Sequence, residues 1–287
     1  MSGRPATPRR AGALRLLPVH LVLWAVCAIW LAPTVGLLVS SFRPARDVNA
    51  TGWWTVFWHP VLTLANYAQV VASDNIGVSF LNSLIITIPA TVLPVLVAAY
   101  AAHAFSWMTF PGRSIVYACV VALLLVPLQT TFIPVLRLLT ALGLTGTFPA
   151  VWLAHTGYGL PLAVYLLRNF IGALPKDVID AAAIDGASAT STFFRVVLPM
   201  ALPAVVSLTI FQFLWVWNDL LVALIYLGGD PRVAPLTVTI SNLVNSLGGG
   251  WELLTAAAFV SMVLPLGVFF GLQRYFVRGI LAGAVKG

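Results

Sequence analysis

Two lysines, four histidines and two cysteines are few reactive side chains for 287 residues, and their spacing excludes most chemistry. A phosphate loop places Lys directly after Gly in G-x-x-x-x-G-K-[ST], because the glycines let backbone amides wrap the phosphates. Here Lys176 follows Pro175 and Lys286 follows Val285, so the chain has no such loop. His20, His59, His103 and His155 show neither His-x-x-x-His nor Cys-rich spacing, which leaves metal catalysis without a ligand set. Cys27 and Cys119 fall in apolar runs and read as small buried hydrophobes. Two groups of ionisable residues remain. Asp219 and His155 lie in apolar surroundings, Arg168 lies near the end of an apolar run, and Asp177, Asp180 and Asp185 share a polar interruption between two long apolar runs.

The elements that position these residues follow from composition. Charged residues make up 8% of the chain, 60% are hydrophobic and mean hydropathy is +0.99, far from the roughly 25% charged residues of soluble domains. The chain therefore reads as an all-α integral membrane protein. A span needs about 20 apolar residues to cross a hydrocarbon core of about 30 Å. Six runs qualify: Val19 to Ser41, Phe80 to His103, Ser114 to Leu136, Pro149 to Ile171, Ala204 to Leu227 and Leu253 to Gln273. Their length and lack of strict alternation favour helices over barrel strands. The first run has a basic flank like a signal peptide, but it exceeds the 7 to 15 residues of a cleaved segment and reads as a retained span.

Orientation follows from the connecting segments, because cytoplasmic loops keep the excess of Lys and Arg. With both termini inside, eleven basic residues face the cytoplasm against four outside, Arg43, Arg46, Arg137 and Arg232. The net charge of +7 is thus spread between apolar runs rather than gathered on the basic face that nucleic acid requires. This organisation gives a cytoplasmic segment 1–18, a membrane domain 19–273 with a cytoplasmic loop 172–203, and a cytoplasmic tail 274–287. Prolines within or beside every span, among them Pro33, Pro89, Pro94, Pro127, Pro161 and Pro265, remove helix hydrogen bonds and permit kinks. The external segment 42–79 carries Trp53, Trp54, Trp58 and Tyr67, which fit lipid headgroups or, less simply, a sugar ring.

The polar interruption reads as a helix pair. Pro175 suits a first helical position, and Asp177 favours the positive helix end. At 100° per residue, Val178, Ile179, Ala182 and Ala183 share one side, while Asp177, Asp180 and Ile184 project from the other. Gly186 offers a left-handed stop, and a second amphipathic run leads to Pro199. A helix lying on anionic lipid carries Lys and Arg, whereas this one presents three aspartates, so a protein partner accounts for it better.

The stretch "DAAAIDGASATSTFFRVVLPMALP" resembles the EAA loop of permease subunits in ATP-binding-cassette importers. The match falls on Ala181, Ala182, Asp185, Gly186, Ala187, Phe193, Pro199 and Pro203. "RYFVRGILAGAVKG" is similar to the tail of the second permease subunit in maltose-type sugar importers, and "NYAQVV", "LNSLIIT", "VPLQTTFIP" and "WVWNDLL" resemble their intervening segments. The closest likeness is to members importing glucose, mannose or α-glucosides. The resemblance implies a type I importer permease fold of six transmembrane helices. It also implies a second permease subunit, an ATPase dimer that binds ATP and Mg, and an external solute-binding protein, with no cofactor on this chain. By the same resemblance, Asp180 to Ala187 with Phe193 and Pro199 form a coupling helix in an ATPase cleft. Asp180 stands where the family usually has Glu, one methylene longer. The tail residues Arg278, Gly279, Gly283 and Lys286 would contact the ATPase pair, and the loop with Gly248, Gly249 and Gly250 would reach the binding protein.

An intramembrane aspartate is a functional candidate by default. Trp217, Asn218 and Asp219 are therefore expected to border a translocation path where polar groups meet sugar hydroxyls. A structural hydrogen bond to a neighbouring helix or water is the competing role for Asp219, and His155 reads as a packed polar residue. A same-class importer of a non-sugar solute would lack the maltose-type tail. A proton-coupled carrier would lack the coupling motif.

Overall fold

A computed structural model describes residues 9–244 and 249–284, with side chains for 17–244 apart from Asp74, and for 249–273. Among the described residues every regular element is helical. The helices are α1 (Arg9–Ser41), α2 (Ala45–Ala50), α3 (Ala65–Ala72), α4 (Asp74–Trp107), α5 (Arg113–Ala122), α6 (Leu128–Ala141) and α7 (Phe148–Ile171). They continue as α8 (Lys176–Ile184), α9 (Ala189–Thr192), α10 (Leu198–Trp217), α11 (Leu221–Leu227), α12 (Leu236–Ser241) and α13 (Trp251–Ala284). Five stretches are long and apolar enough to cross a bilayer: Leu17–Ser41, Asn75–Trp107, Phe148–Ile171, Ala189–Trp217 and Trp251–Gln273.

The third expected span departs from a straight helix. Arg113–Leu125 and Leu128–Ala141 meet at a bend of 107°. Val126 takes the extended backbone that a residue before proline prefers, and Pro127 caps the new helix, so the Val-Pro pair breaks the run. The fifth span also differs from its expected bounds. The helical run begins at Ala189, passes through a π-helical turn at Phe193–Val197 and ends at Trp217, after which α11 starts separately. Cys27 and Cys119 are exposed rather than buried, which fits helix faces that lie against lipid.

The chain divides into two compact units, residues 1–70 with 243–259, and residues 71–242 with 260–287. In the first, α1 leads to a loop organised by Arg43, which is 3% exposed. Its guanidinium donates to the Thr51 carbonyl at 3.3 Å, the Asp47 carbonyl at 3.1 Å and Thr55 Oγ1 at 3.0 Å, and also to Thr51 Oγ1. Burying this charge is tolerable because several acceptors replace water. Asn66 donates to the Ser41 and Arg43 carbonyls at 2.9 Å each, and Tyr67 bonds Ser41 at 2.7 Å. Trp54, Phe57 and Trp58 stay exposed, as headgroup aromatics would.

The second unit is built on α4, α7 and α10. Its inner cluster joins Ala98, Ala99 and Ala102 of α4 to Ala163, Val164, Leu167 and Ile171 of α7 and to Phe193, Val197 and Ala201. Small side chains let these backbones approach, which is how helices associate where lipid removes the hydrophobic driving force. A second cluster gathers Ala90, Phe132, Val151, Ala154, Val216, Val222 and Tyr226. At the end of α7, Trp107 donates to the Ile171 carbonyl at 3.1 Å and Arg168 lies 4.9 Å from the Tyr117 ring centroid. Arg168 also sits in the last helical turn, where a cation meets the negative end of the helix dipole.

Candidate coupling loop and polar sites

Pro175 stands one residue before α8 as its N-cap, and Asp177 lies in the first turn. The helix closes at Asp185 and Gly186. Gly186 has φ +76°, its amide donates to the Ala183 carbonyl at 3.1 Å, and the Ala187 amide donates to the Ala182 carbonyl at 3.0 Å. This pair of bonds closes the helix end as a Schellman turn and satisfies two carbonyls that would otherwise lack donors. Ser188 then opens α9, its hydroxyl accepting from the Ser191 amide at 3.3 Å.

Only part of the expected apolar side of α8 turns inward. Ile179 and Ala182 are half-buried, whereas Val178 and Ala183 are exposed. Asp180, Ala181, Asp185 and Gly186 are exposed, and Ala187 is half-buried at the turn. Ile184 is 86% exposed beside Asp185, so the tip presents an aliphatic side chain among carboxylates. Lys176 pairs with Asp180 at 3.8 Å across one turn, with both groups well exposed. Such a pair is worth about 0.3–0.5 kcal/mol and holds Asp180 only weakly.

Phe193 anchors the loop. It is buried, with its ring centroid 5.1 Å from Tyr100 and 5.5 Å from His103, both on α4. Tyr100 also bonds Thr190 at 3.1 Å. Pro199 lies at the second position of α10, directly after the π-helical turn, where the regular ladder is already interrupted. Tyr100, His103 and Thr190 were not singled out by sequence. Tyr100 and His103 fall in an apolar run without a motif, and Thr190 lies within the quoted loop but at none of its matched positions.

At the opposite end of α4, Asn82 donates to the Arg232 and Ala234 carbonyls at 3.1 Å each. Ser83 accepts from the Leu236 amide at 2.8 Å, and Ser79 bonds Thr239 at 2.6 Å. These three residues clasp the segment that carries α12. Asp230 and Arg232 form a fork at 2.7 Å, and hydrogen bonds from Arg232 hold the Asp230 carboxyl below its ordinary value.

Asp219 accepts from the Val222 amide at 3.4 Å and the Ala223 amide at 3.1 Å, and so caps the start of α11. Its carbonyl accepts from Thr237 at 2.6 Å. His155 Nε2 lies 3.7 Å from the Asp219 carboxylate, beyond hydrogen-bond length, and its ring meets Trp215 edge-on. Asp219→Ala is expected to destabilise the purified chain by about 1 kcal/mol, whereas Asp219→Asn keeps a capping acceptor and most of the stability. Thermal denaturation in detergent checks this ordering, and an Asn variant as unstable as Ala would show that the charge itself is needed. Trp217 is 4% exposed and donates to the Ser261 carbonyl at 3.2 Å, while Asn218 is exposed and donates to the Leu214 carbonyl at 2.7 Å.

Gly250 has φ +98°, and a Cβ there would collide with the Leu243 carbonyl. Gly249 precedes it, and Gly248 lies outside the described residues. Arg278, Gly279 and Gly283 fall on the last turns of α13, where no side chain is described, and Lys286 lies beyond the described residues.

Residues 94–282, which contain the whole loop, match the model of the binding-protein-dependent transport system inner membrane component family. The chain belongs to that family. It is a multi-pass inner-membrane component, a non-catalytic subunit of a transport system whose ATPase is a separate chain. It is 59% identical over 284 residues to the osmoprotective compounds uptake permease protein GgtD of Synechocystis sp., covering 98% of this chain and 95% of the relative. It is 52% identical to the alpha-glucoside transport system permease protein AglG of Rhizobium meliloti, covering 87% and 67%. A crystal structure of a bacterial transporter that imports the acidic polysaccharide alginate contains a chain of the same fold, with TM-score 0.75, 19% identity and coverage of 95% and 100%.

Proposed function

We propose that the chain is one of two permease subunits of an ATP-driven carbohydrate importer, crossing the membrane six times with both termini in the cytoplasm. The bent α5–α6 pair counts as one of these spans. The coupling loop carries this reading. A buried Phe193 fixes its base to α4, a glycine-dependent turn fixes its tip, and Ile184, Asp180 and Asp185 remain exposed on an otherwise apolar protein. That surface fits a cleft on an ATPase subunit with an apolar floor and basic rim. The tail with Arg278, Gly279, Gly283 and Lys286 meets the ATPase pair, which binds ATP and Mg. The loop with Gly248, Gly249 and Gly250 reaches an external solute-binding protein.

Closure of the ATPase dimer on ATP moves α8, and through Phe193 moves α4, reopening the path outward. This requires the ATPase to bind the two permease states with different affinity. Asn218 and Asp219 border the path on this reading, whereas Trp217 faces α13. The relatives named for alpha-glucosides and osmoprotective compounds favour small glycosylated solutes over other cargo. A proton-coupled carrier is set aside by the family match.

Affinity purification of the tagged chain from its native membrane tests the assembly. Recovery of an ATPase and a second permease, with ATP-dependent uptake of radiolabelled sucrose as an alpha-glucoside probe, is the expected result. A chain that elutes alone and transports solute into ATP-free vesicles overturns it.

A further inference from the structure

Of the prolines inside the membrane helices, three leave a carbonyl one turn earlier that takes a side-chain donor in place of the missing helical amide. Pro89 and Pro94 free the Ile85 and Ala90 carbonyls in α4, and Pro265 frees that of Ser261 in α13. Each oxygen accepts instead from a side chain elsewhere in the chain. Trp152 of α7 reaches Ile85 at 2.9 Å, Gln212 of α10 reaches Ala90 at 3.3 Å, and Trp217 reaches Ser261 at 3.2 Å. Lipid supplies no donor, so a side chain of the protein that reaches a freed carbonyl removes the cost of leaving it unpaired.

The two breaks in α4 lie five residues apart, and their donors come from two different helices. Gln212 is 3% exposed. Its amide fits because α7 has Gly159 opposite it, where a Cβ would stand 2.8 Å from Nε2. Pro94, Ala90, Gln212 and Gly159 thus form a joint where α4, α7 and α10 meet.

The location of this joint bears on the transport cycle. Inward of it, Tyr100 and His103 tie α4 to the coupling loop through Thr190 and Phe193. Outward of it, Ser79, Asn82 and Ser83 clasp the segment from Arg232 to Thr239. A displacement applied at the inner end while the outer end is held must be absorbed between them. Main-chain ladder bonds resist that bending, but two successive turns here are closed by side-chain donors that can move with their own helices.

We propose that Gln212 and Trp152 are positioning residues that latch a double proline joint in α4, and that α4 flexes at this joint when the coupling loop moves. The latch stands on the geometry alone, and the flexing rests on the importer reading above.

A double-mutant cycle on the purified complex tests both. Pro94→Ala restores the helical amide, so Ala90 no longer needs Gln212. Gln212→Leu in the native background is expected to lower the melting temperature by about 2–4 °C, and in the Pro94→Ala background to lower it little. Equal losses in both backgrounds would show that Gln212 does not serve the freed carbonyl. For the joint, hydrogen exchange of residues 86–98 is compared with and without ATP and vanadate. The wild type is expected to show a nucleotide-dependent rise in exchange that Pro94→Ala reduces at least twofold while the ATPase still co-purifies. An unchanged rise in Pro94→Ala, or none in a wild-type complex that retains its ATPase, overturns the joint. A wild type that recovers no ATPase overturns the importer reading and the flexing with it, while the melting cycle still decides the latch.

Discussion

Gly186→Val is expected to reduce both ATPase recovery and ATP-dependent uptake at least tenfold while the permease still inserts in the membrane. Gly186 has φ +76°, a backbone region that costs a β-branched residue about 1–3 kcal/mol. No atom lies within 4 Å of where a Cβ would stand, so the strain is in the backbone and not in a clash. Relieving it means opening the Schellman turn, which releases the Ala182 and Ala183 carbonyls and turns Asp185 and Ile184 away from their shared tip. Gly186→Asn, which tolerates the left-handed region better, should keep part of the activity. Co-purification and uptake measured together decide the matter. Equal activity of the Val variant would show that the turn does not set the docking surface.

Asn82→Leu is expected to cause the largest loss of stability, about 2–4 kcal/mol, because it leaves the Ala234 carbonyl without its donor at a buried position and the Arg232 carbonyl without one at a part-buried position. The shape change is small, so the effect isolates the lost donors. Limited proteolysis should show faster cleavage between α11 and α12, where the clasped segment would come free. A variant as resistant as the wild type would mean that Ser79 and Ser83 hold the segment without Asn82.

The positions legible in the sequence were those whose role is local. Gly186 was readable as a helix stop because the left-handed turn depends on that residue and its immediate neighbours. The exposed aspartates of α8 followed from a helical period of 3.6 residues. Pro127 is legible as a proline that permits a kink, but a bend of 107° is not, because the apolar run continues unbroken through Val126 and Pro127. The long-range pairings were not legible. Gln212 donates to a residue 122 positions away, and Asn82 to residues 150 and 152 positions away, and nothing in either residue's neighbours points to the partner. Asp219 was visible as an unusual charge in an apolar run, but its capping of α11 depended on a helix break that hydropathy does not mark. The hydrogen bond from Trp217 to the Ser261 carbonyl is not legible either, because the proline that frees that carbonyl is in another helix.

The break between α5 and α6 also changes what the surrounding lipid can do. Arg113–Leu125 holds 13 residues and Leu128–Ala141 holds 14, so each arm is only about 20 Å long. Neither arm alone covers a hydrocarbon core of about 30 Å. The other spans can meet a thicker bilayer by standing more upright, but a bent pair has less reserve length and must change its angle or thin the lipid beside it. On the six-span reading proposed above, acyl-chain length is therefore a mechanical load on this protein, applied sideways at the bend.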